Sequence, residues 1–190
     1  MTQLFLVRHG PTHAKGMVGW SDLPADLNDR AALARLEAHL PKNALMVSSD
    51  LTRAKQTASA IQGHRQRLQH EPGLREIHFG DWELLKFDEV EDQELIRAYW
   101  DQPGDIRPPN GESWNQVCSR VDTTVDRLLA TYPKENLIIV AHFGMILTQI
   151  QRATGLSAFD TFSNRINNLS LTTLTYRNAI WGVEAINHNP

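Results

Sequence analysis

Two apolar runs constrain the fold of this chain more than any other feature. Leu4-Phe5-Leu6-Val7 leads into Arg8-His9-Gly10, and Leu137-Ile138-Ile139-Val140-Ala141 leads into His142-Phe143-Gly144. Continuous runs of Val, Ile and Leu that stop at a glycine read as strands buried on both faces, the condition of strands in a parallel sheet. In open α/β sheets, ligands bind beyond the carboxyl ends of such strands. The two histidines are therefore expected at one edge of one sheet, with an arginine beside the first.

The segments between these runs alternate strand and helix patterns. Residues 3–8 form the first strand, and the polar stretch from Gly10 to Asp26 is long enough to line a site. Asn28 is the expected cap of a helix over roughly 29–40 that stops at Pro41. Leu45–Ser49 reads as a second buried strand, after which Asp50 caps a helix that ends near Gly63. A short strand near 67–71 follows. Residues 78–111 read as an insertion or lid over the sheet, with an acidic helical patch over about 88–101 and a Pro- and Gly-punctuated loop from Gln102 to Gly111. Val117, Val121, Val125, Leu128 and Leu129 share one face of a helix over 112–132. A helix over about 145–154 and a closing hairpin around Leu169–Tyr176 and Trp181-Gly182-Val183 complete the chain. The pattern predicts an α/β fold, a three-layer α/β/α sandwich with a mainly parallel central sheet, built as one domain over residues 1–190.

Composition narrows the function classes. A chain of 190 residues can bury a sizeable core without staples. A net charge of −3 gives no basic field for nucleic acid. Cys118 is the one cysteine, which excludes a disulfide framework and a Cys-cluster metal site. No run approaches the roughly 18 apolar residues that span a bilayer, and Met1-Thr2-Gln3 has no basic n-region, so no membrane segment and no signal peptide are expected. The expected compartment is the cytoplasm.

Among the polar residues, Arg8, His9, Arg53, Glu76 and His142 make a chemically coherent set. An arginine presents a planar fork of donors that matches phosphate oxygens. Two arginines and a histidine can hold a phosphoryl group and match the charge of its transition state, which leaves the other histidine free to act as nucleophile. Neighbouring cations keep that imidazole unprotonated, and a bound phosphate disfavours ionised Glu76, which can then supply a leaving alcohol with its proton. His9 and His13 at i, i+4 could suggest a metal pair, but Gly10-Pro11 makes a helix there unfavourable. Trp82, Phe87, Trp100 and Trp114 read as the small core of the insertion, with stacking against a substrate ring as the alternative.

Five segments in order resemble the histidine phosphatase superfamily, which includes the cofactor-dependent phosphoglycerate mutases. They are Arg8-His9-Gly10 after its strand, Ser48-Ser49-Asp50-Leu51-Thr52-Arg53-Ala54, Leu74-Arg75-Glu76-Ile77-His78-Phe79-Gly80-Asp81-Trp82-Glu83, Pro109-Asn110-Gly111-Glu112-Ser113, and Val140-Ala141-His142-Phe143-Gly144. By that resemblance His9 is the phosphorylated nucleophile, Arg8, Arg53 and His142 bind the phosphoryl group, and Glu76 is the proton donor. The resemblance implies no metal and no organic cofactor. Thr12 and Phe143 are the further residues expected against the substrate. Four positions depart from the family pattern: Pro11 where Glu is frequent, Lys15 where Asn is common, Phe143 where Gly is usual, and Leu84 in place of the Gly after Trp-Glu.

The resulting expectation is a metal-independent phosphomonoester hydrolase that works through a phosphohistidine on a small phosphorylated metabolite. The short chain and the Glu-x-x-Phe-Gly-x-Trp-Glu segment resemble the small phosphatases of the family, including the α-ribazole phosphatases, more than the mutases. A phosphoglycerate mutase and a catalytically silent phospho-ligand-binding domain are the alternatives, and a phosphohistidine-protein phosphatase is disfavoured by the insertion. The expected partner is the small-molecule substrate, with no nucleic acid and no membrane; a homodimer is a possible assembly.

Overall fold

The computed structural model describes Met1–Pro190. Five strands, β1 (Thr2–Arg8), β2 (Leu45–Ser48), β3 (Leu137–Ala141), β4 (Leu171–Arg177) and β5 (Ile180–His188), form one sheet in the order β2-β3-β1-β4-β5. The three strands that lead into the polar segments are parallel: Leu4 pairs with Leu137 and Val7 with Val140, while Leu45 pairs with Leu137 and Ser48 with Val140. The hairpin β4–β5 adds two antiparallel strands on the far side of β1. Its turn is Asn178-Ala179, both at positive φ (50° and 63°), the backbone of a two-residue turn that matches strand twist.

Alternation along the strands divides the apolar residues between two cores. Leu4, Leu6, Val47, Leu137, Ile139, Ala141 and Leu174 face one layer of helices, α4 (Trp114–Thr131) and α5 (Phe143–Thr154). Val7, Met46, Ile138, Val140 and Leu171 face the other layer, α1 (Arg30–His39) and α2 (Thr52–Ile61). Strands apolar on both faces require helices on both faces, and this gives the three layers.

Residues 78–111 contain two 3-10 turns, Gly80–Trp82 and Phe87–Glu89, and α3 (Gln93–Asp101). The helical part is shorter than the acidic patch over 88–101, because the Asp92 carboxylate caps the Leu95 N–H at 2.9 Å and starts the helix there. Phe79, Trp82, Val90, Ile96 and Tyr99 are buried and join the larger core with Trp114, so this segment is anchored to the sheet's helical layer rather than hinged away from it. A last short helix, α6 (Ala158–Thr161), packs nearby, with Phe162 against Trp100 and Trp114.

Three local expectations are corrected. Asp29, not Asn28, caps α1, accepting from Ala32 N at 2.9 Å; the Asn28 N–H is itself bonded to Asp26 Oδ1. Asp50 does not cap α2, because both its carboxylate oxygens are taken by Arg75, Nε at 2.7 Å. The segment 67–71 makes one bridge, Arg67 to Met46, instead of a strand; Arg67 and His70 turn their side chains to the Ser48 hydroxyl.

Candidate active site

The parallel pairing continues one residue beyond the strand ends. His9 N–H donates to the Ala141 carbonyl at 3.0 Å and Ser49 N–H to the Val140 carbonyl at 3.1 Å. His9, Ser49 and His142 thereby emerge side by side at the carboxyl edge of the sheet, all buried, with the two imidazole centroids 5.0 Å apart.

The hydrogen bonds of His9 set its tautomer. Nδ1 lies 2.6 Å from the Gly10 carbonyl, which can only accept, so Nδ1 carries the proton. Nε2 faces Arg53 Nε at 3.2 Å, which can only donate, so Nε2 holds the lone pair. Burial first, then the Arg53 and Arg8 charges, bring this imidazole down to about 3. It is therefore neutral near pH 7, with its nucleophilic nitrogen presented beside a cation.

Arg53, on the first turn of α2, is fully buried. Its Nη1 donates to the Ser21 carbonyl at 2.8 Å and its Nη2 to the Gly19 carbonyl at 2.6 Å. The same loop is held from its other side by Glu83, whose carboxylate accepts from Gly19 N, Trp20 N, Ser21 N and the Ser21 hydroxyl. Arg53 is thus braced by the long polar stretch and aimed at His9 Nε2. Arg8 donates to the Ile166 carbonyl, lies 5.5 Å over the Phe143 ring, and keeps a buried Nε without a protein partner.

His142 caps α5 with its backbone, and the Ser49 hydroxyl meets its Nε2 at 2.6 Å. Ser49 Oγ also accepts from Leu51 N at 3.4 Å, which leaves its own proton for His142. The His142 proton then sits on Nδ1, a buried donor with no protein partner. Burial, then His9 and the nearby arginines, hold this ring well below the usual imidazole range. Glu76 is buried, and its Oε1 accepts from Ile77 N at 3.0 Å and Gly144 N at 2.8 Å. Burial raises its carboxyl above the usual range, against the opposing pull of those N–H groups and the two arginines.

Gly144 is what lets α5 approach this carboxyl. A Cβ there would stand 2.5 Å from Glu76 Oε1 and 2.7 Å from Ile77 Cγ1. Gly144→Ala is expected to lower stability by about 1–3 kcal/mol through overpacking. Urea unfolding should show a lower midpoint at unchanged slope; an unshifted midpoint would mean that Glu76 moves aside freely.

Arg8, His9, Thr12, Glu76 and Phe143 line a cavity of about 350 Å³ together with Pro11, His13, Ala14, Gly16, Val18, Phe79 and Asn168. The structure therefore brings the five sequence-predicted residues into one locus, with Arg53 and His142 packed against His9 and not among the residues that line the cavity. Phe143 turns inward over Arg8. Lys15 is exposed and does not line the cavity, although Ala14 and Gly16 on either side do. His13 pairs with Asp26 at 2.7 Å, and no three His, Cys, Asp or Glu side chains gather as a metal-holding group.

Sequence reasoning missed Asn168, whose Nδ2 donates to the His9 carbonyl at 2.8 Å, and Thr57, whose hydroxyl accepts from Gly10 N at 2.9 Å. Thr57 lies one turn after Arg53 on the same helix face, a usable spacing signal. Asn168 carries no such signal.

The family model described as the histidine phosphatase superfamily (branch 1) matches residues 4–189. The adenosylcobalamin/alpha-ribazole phosphatase of Salmonella typhimurium is 32% identical over 173 residues, covering 86% of this chain and 85% of its own. A Serratia proteamaculans relative named as a probable phosphoglycerate mutase is 28% identical over 95% of this chain and 88% of its own. The solved structure of Bacillus stearothermophilus YhfR superposes with a TM-score of 0.90 at 27% identity, covering 100% of this chain and 98% of its own.

Proposed function

The chain belongs to the histidine phosphatase superfamily, and from that premise we propose that it is a metal-independent phosphomonoesterase acting through a phosphohistidine on a small phosphorylated metabolite. The observation that carries this reading is His9 Nε2, a lone pair fixed by the Gly10 carbonyl at the opposite nitrogen and facing Arg53.

His9 Nε2 attacks phosphorus as the bond to the ester oxygen breaks. The departing oxygen keeps the bonding pair and takes the Glu76 proton. Arg8 Nε and His142 Nδ1, buried donors without a protein partner, and Arg53 Nε, released from His9 Nε2 as that lone pair goes to phosphorus, are the donors that would receive the equatorial oxygens and hold the spreading charge. The Glu76 carboxylate then accepts a proton from water as that water attacks the phosphohistidine. The N–P bond breaks, inorganic phosphate leaves, and Glu76 is protonated again.

Beyond the phosphoryl end, the cavity is walled by Pro11, Ala14, Val18, Phe79 and Phe143, with Thr12, Asn168 and the Asp26-paired His13 as polar groups. That lining suits the neutral alcohol portion of a small ester, and it favours hydrolysis over a mutase that must also seat a carboxylate. The α-ribazole phosphates are one candidate class. Residues 78–111, one domain with the rest in this reading, serve as a fixed cover that admits small esters and obstructs a docked protein. No helix is long and apolar enough to cross a membrane; a cytoplasmic location belongs to this reading, as does a homodimer, for which the free edge of β5 with exposed Ile180 and Val183 is available.

The test is phosphate release with EDTA present from nitrophenyl phosphate, phosphoglycerates, sugar phosphates, nucleotides and α-ribazole phosphate, alongside transfer between phosphoglycerates. Metal-free release is the expected result. Transfer without release would replace the phosphatase by a mutase, and tight phospho-ligand binding without turnover would replace it by a silent domain. Vanadate and tungstate should inhibit competitively, because such oxyanions offer oxygens to the same donors; an enzyme indifferent to both would remove the arginine and histidine clamp from the reading.

A further inference from the structure

We propose that Arg120, on α4, is a positioning residue for Glu76, the proton donor of the reading above, on which this inference rests. Residues 75–78 belong to no helix or strand, so their backbone geometry is not held by a hydrogen-bond ladder of their own. Arg120 supplies what the ladder would. Its Nη1 donates to the carbonyls of Gly73 at 3.0 Å and Arg75 at 3.1 Å, and its Nη2 to the carbonyl of Glu76 itself at 3.1 Å. The remaining donors grip Glu112 in a fork, Nε to Oε1 and Nη2 to Oε2, both at 2.7 Å. All five guanidinium N–H groups are thereby used.

Glu112 closes the bracket. Its Oε2 accepts from the His78 N–H at 3.0 Å, and its backbone N–H donates to the His78 carbonyl at 2.9 Å. The segment carrying Glu76 is therefore tied down on both sides, at 73–76 by Arg120 and at 78 by Glu112. Trp20 adds a third tie, its indole N–H on the Glu76 carbonyl at 2.9 Å, with its ring 4.7 Å from the Arg75 guanidinium and 5.9 Å from that of Arg120. Gly144 and Ile77 fix the carboxyl end of the same residue. A proton donor works only within hydrogen-bond reach of the leaving oxygen, so a shift of this backbone bears, in the transfer to His9, on the departure of an alcohol that needs a proton and not on that of one that does not.

Lysine at 120 keeps a charge but cannot form the planar fork. In Arg120→Lys, kcat/KM for alkyl phosphates, which reports transfer to His9, should fall by about 10- to 100-fold while kcat/KM for nitrophenyl phosphate, whose leaving group needs no proton, stays within about 3-fold. Glu112→Gln, which keeps the side-chain size and leaves the Arg120 contacts to carbonyls, should move the alkyl-to-nitrophenyl ratio in the same direction by less. It remains informative if the lysine variant folds poorly. Equal losses on both substrates, or none on either, would overturn the positioning role. Glu76→Gln runs beside them: if it leaves the ratio unmoved, the donor assignment fails and this inference with it. If it moves the ratio and neither Arg120→Lys nor Glu112→Gln does, only the Arg120 role fails.

Discussion

His9→Ala should lose phosphatase turnover by at least about 10⁴-fold while keeping the fold, because the substitution removes the attacking atom and leaves no neighbouring group able to replace it. His142 is 5.0 Å away by ring centroid, but its Nε2 is held by Ser49, so it is not free to take over. Rapid quenching of wild type with labelled ester should trap a phosphoenzyme that is labile in acid, as expected for an N–P bond, and His9→Ala should trap none. A labelled, acid-labile species persisting in His9→Ala would move the nucleophile to another residue.

The same substitution has a stability consequence whose sign follows from burial. The folded-state value of His9 lies at about 3, below the ordinary 6.5. Below pH 6.5 the unfolded chain therefore binds a proton at this position that the folded chain refuses, and stability falls with pH until the folded value is reached. For one such group the slope is about 1.4 kcal/mol per pH unit between those limits. Denaturant unfolding of wild type and His9→Ala at pH 7.5 and pH 5 should therefore show the variant less sensitive to acid. Parallel loss in both proteins would mean that His9 is already protonated in the folded state.

The strand-end histidines were legible because an apolar run ending abruptly on a polar residue is a local pattern, and the sheet edge follows from it. The set Arg8, His9, Arg53, Glu76 and His142 was legible because each lies in a short ordered segment. The partners of those residues were not legible. Asn168 reaches the His9 carbonyl across 159 positions of sequence, and nothing local to Asn168 announces that contact. Asp50 stands where a helix cap is expected, yet Arg75, 25 positions away, claims its carboxylate. Asp29 and Asn28 are equally good caps by type, and only the structure shows that the Asp29 carboxylate is the one that accepts from Ala32 N. Leu84 was visible as a departure from a glycine. Its φ of 67° gives the reason a glycine suits that position, and its half-exposed side chain is carried there against the steric preference of the left-handed region. Phe143 was visible as a bulky replacement, but which way the ring turned depended on Arg8 offering its guanidinium as the facing surface.

Glu76→Gln should lower kcat/KM for alkyl phosphates by about 10²- to 10⁴-fold and for nitrophenyl phosphate far less, since kcat/KM reports transfer to His9, in which only the weakly acidic alcohol needs a proton as it leaves. Glutamine keeps an oxygen for Ile77 N and Gly144 N, so the loss is chemical and the fold survives. Burial holds the Glu76 carboxyl protonated above the ordinary carboxylate range. Donor activity is therefore present at low pH and is lost as pH rises through that raised value. The pH profile of wild type on an alkyl phosphate should show an alkaline limb that the Glu76→Gln variant lacks. The raised folded value also stabilises the fold at low pH, and that contribution disappears as the buried carboxyl ionises. The substituted amide cannot ionise, so above the limb the variant should be as stable as wild type or more so, while being the poorer enzyme. Equal losses in kcat/KM on both esters, or an alkaline limb that survives in Glu76→Gln, would take the proton donor away from this position and assign the role to another group of the cavity lining, such as His13.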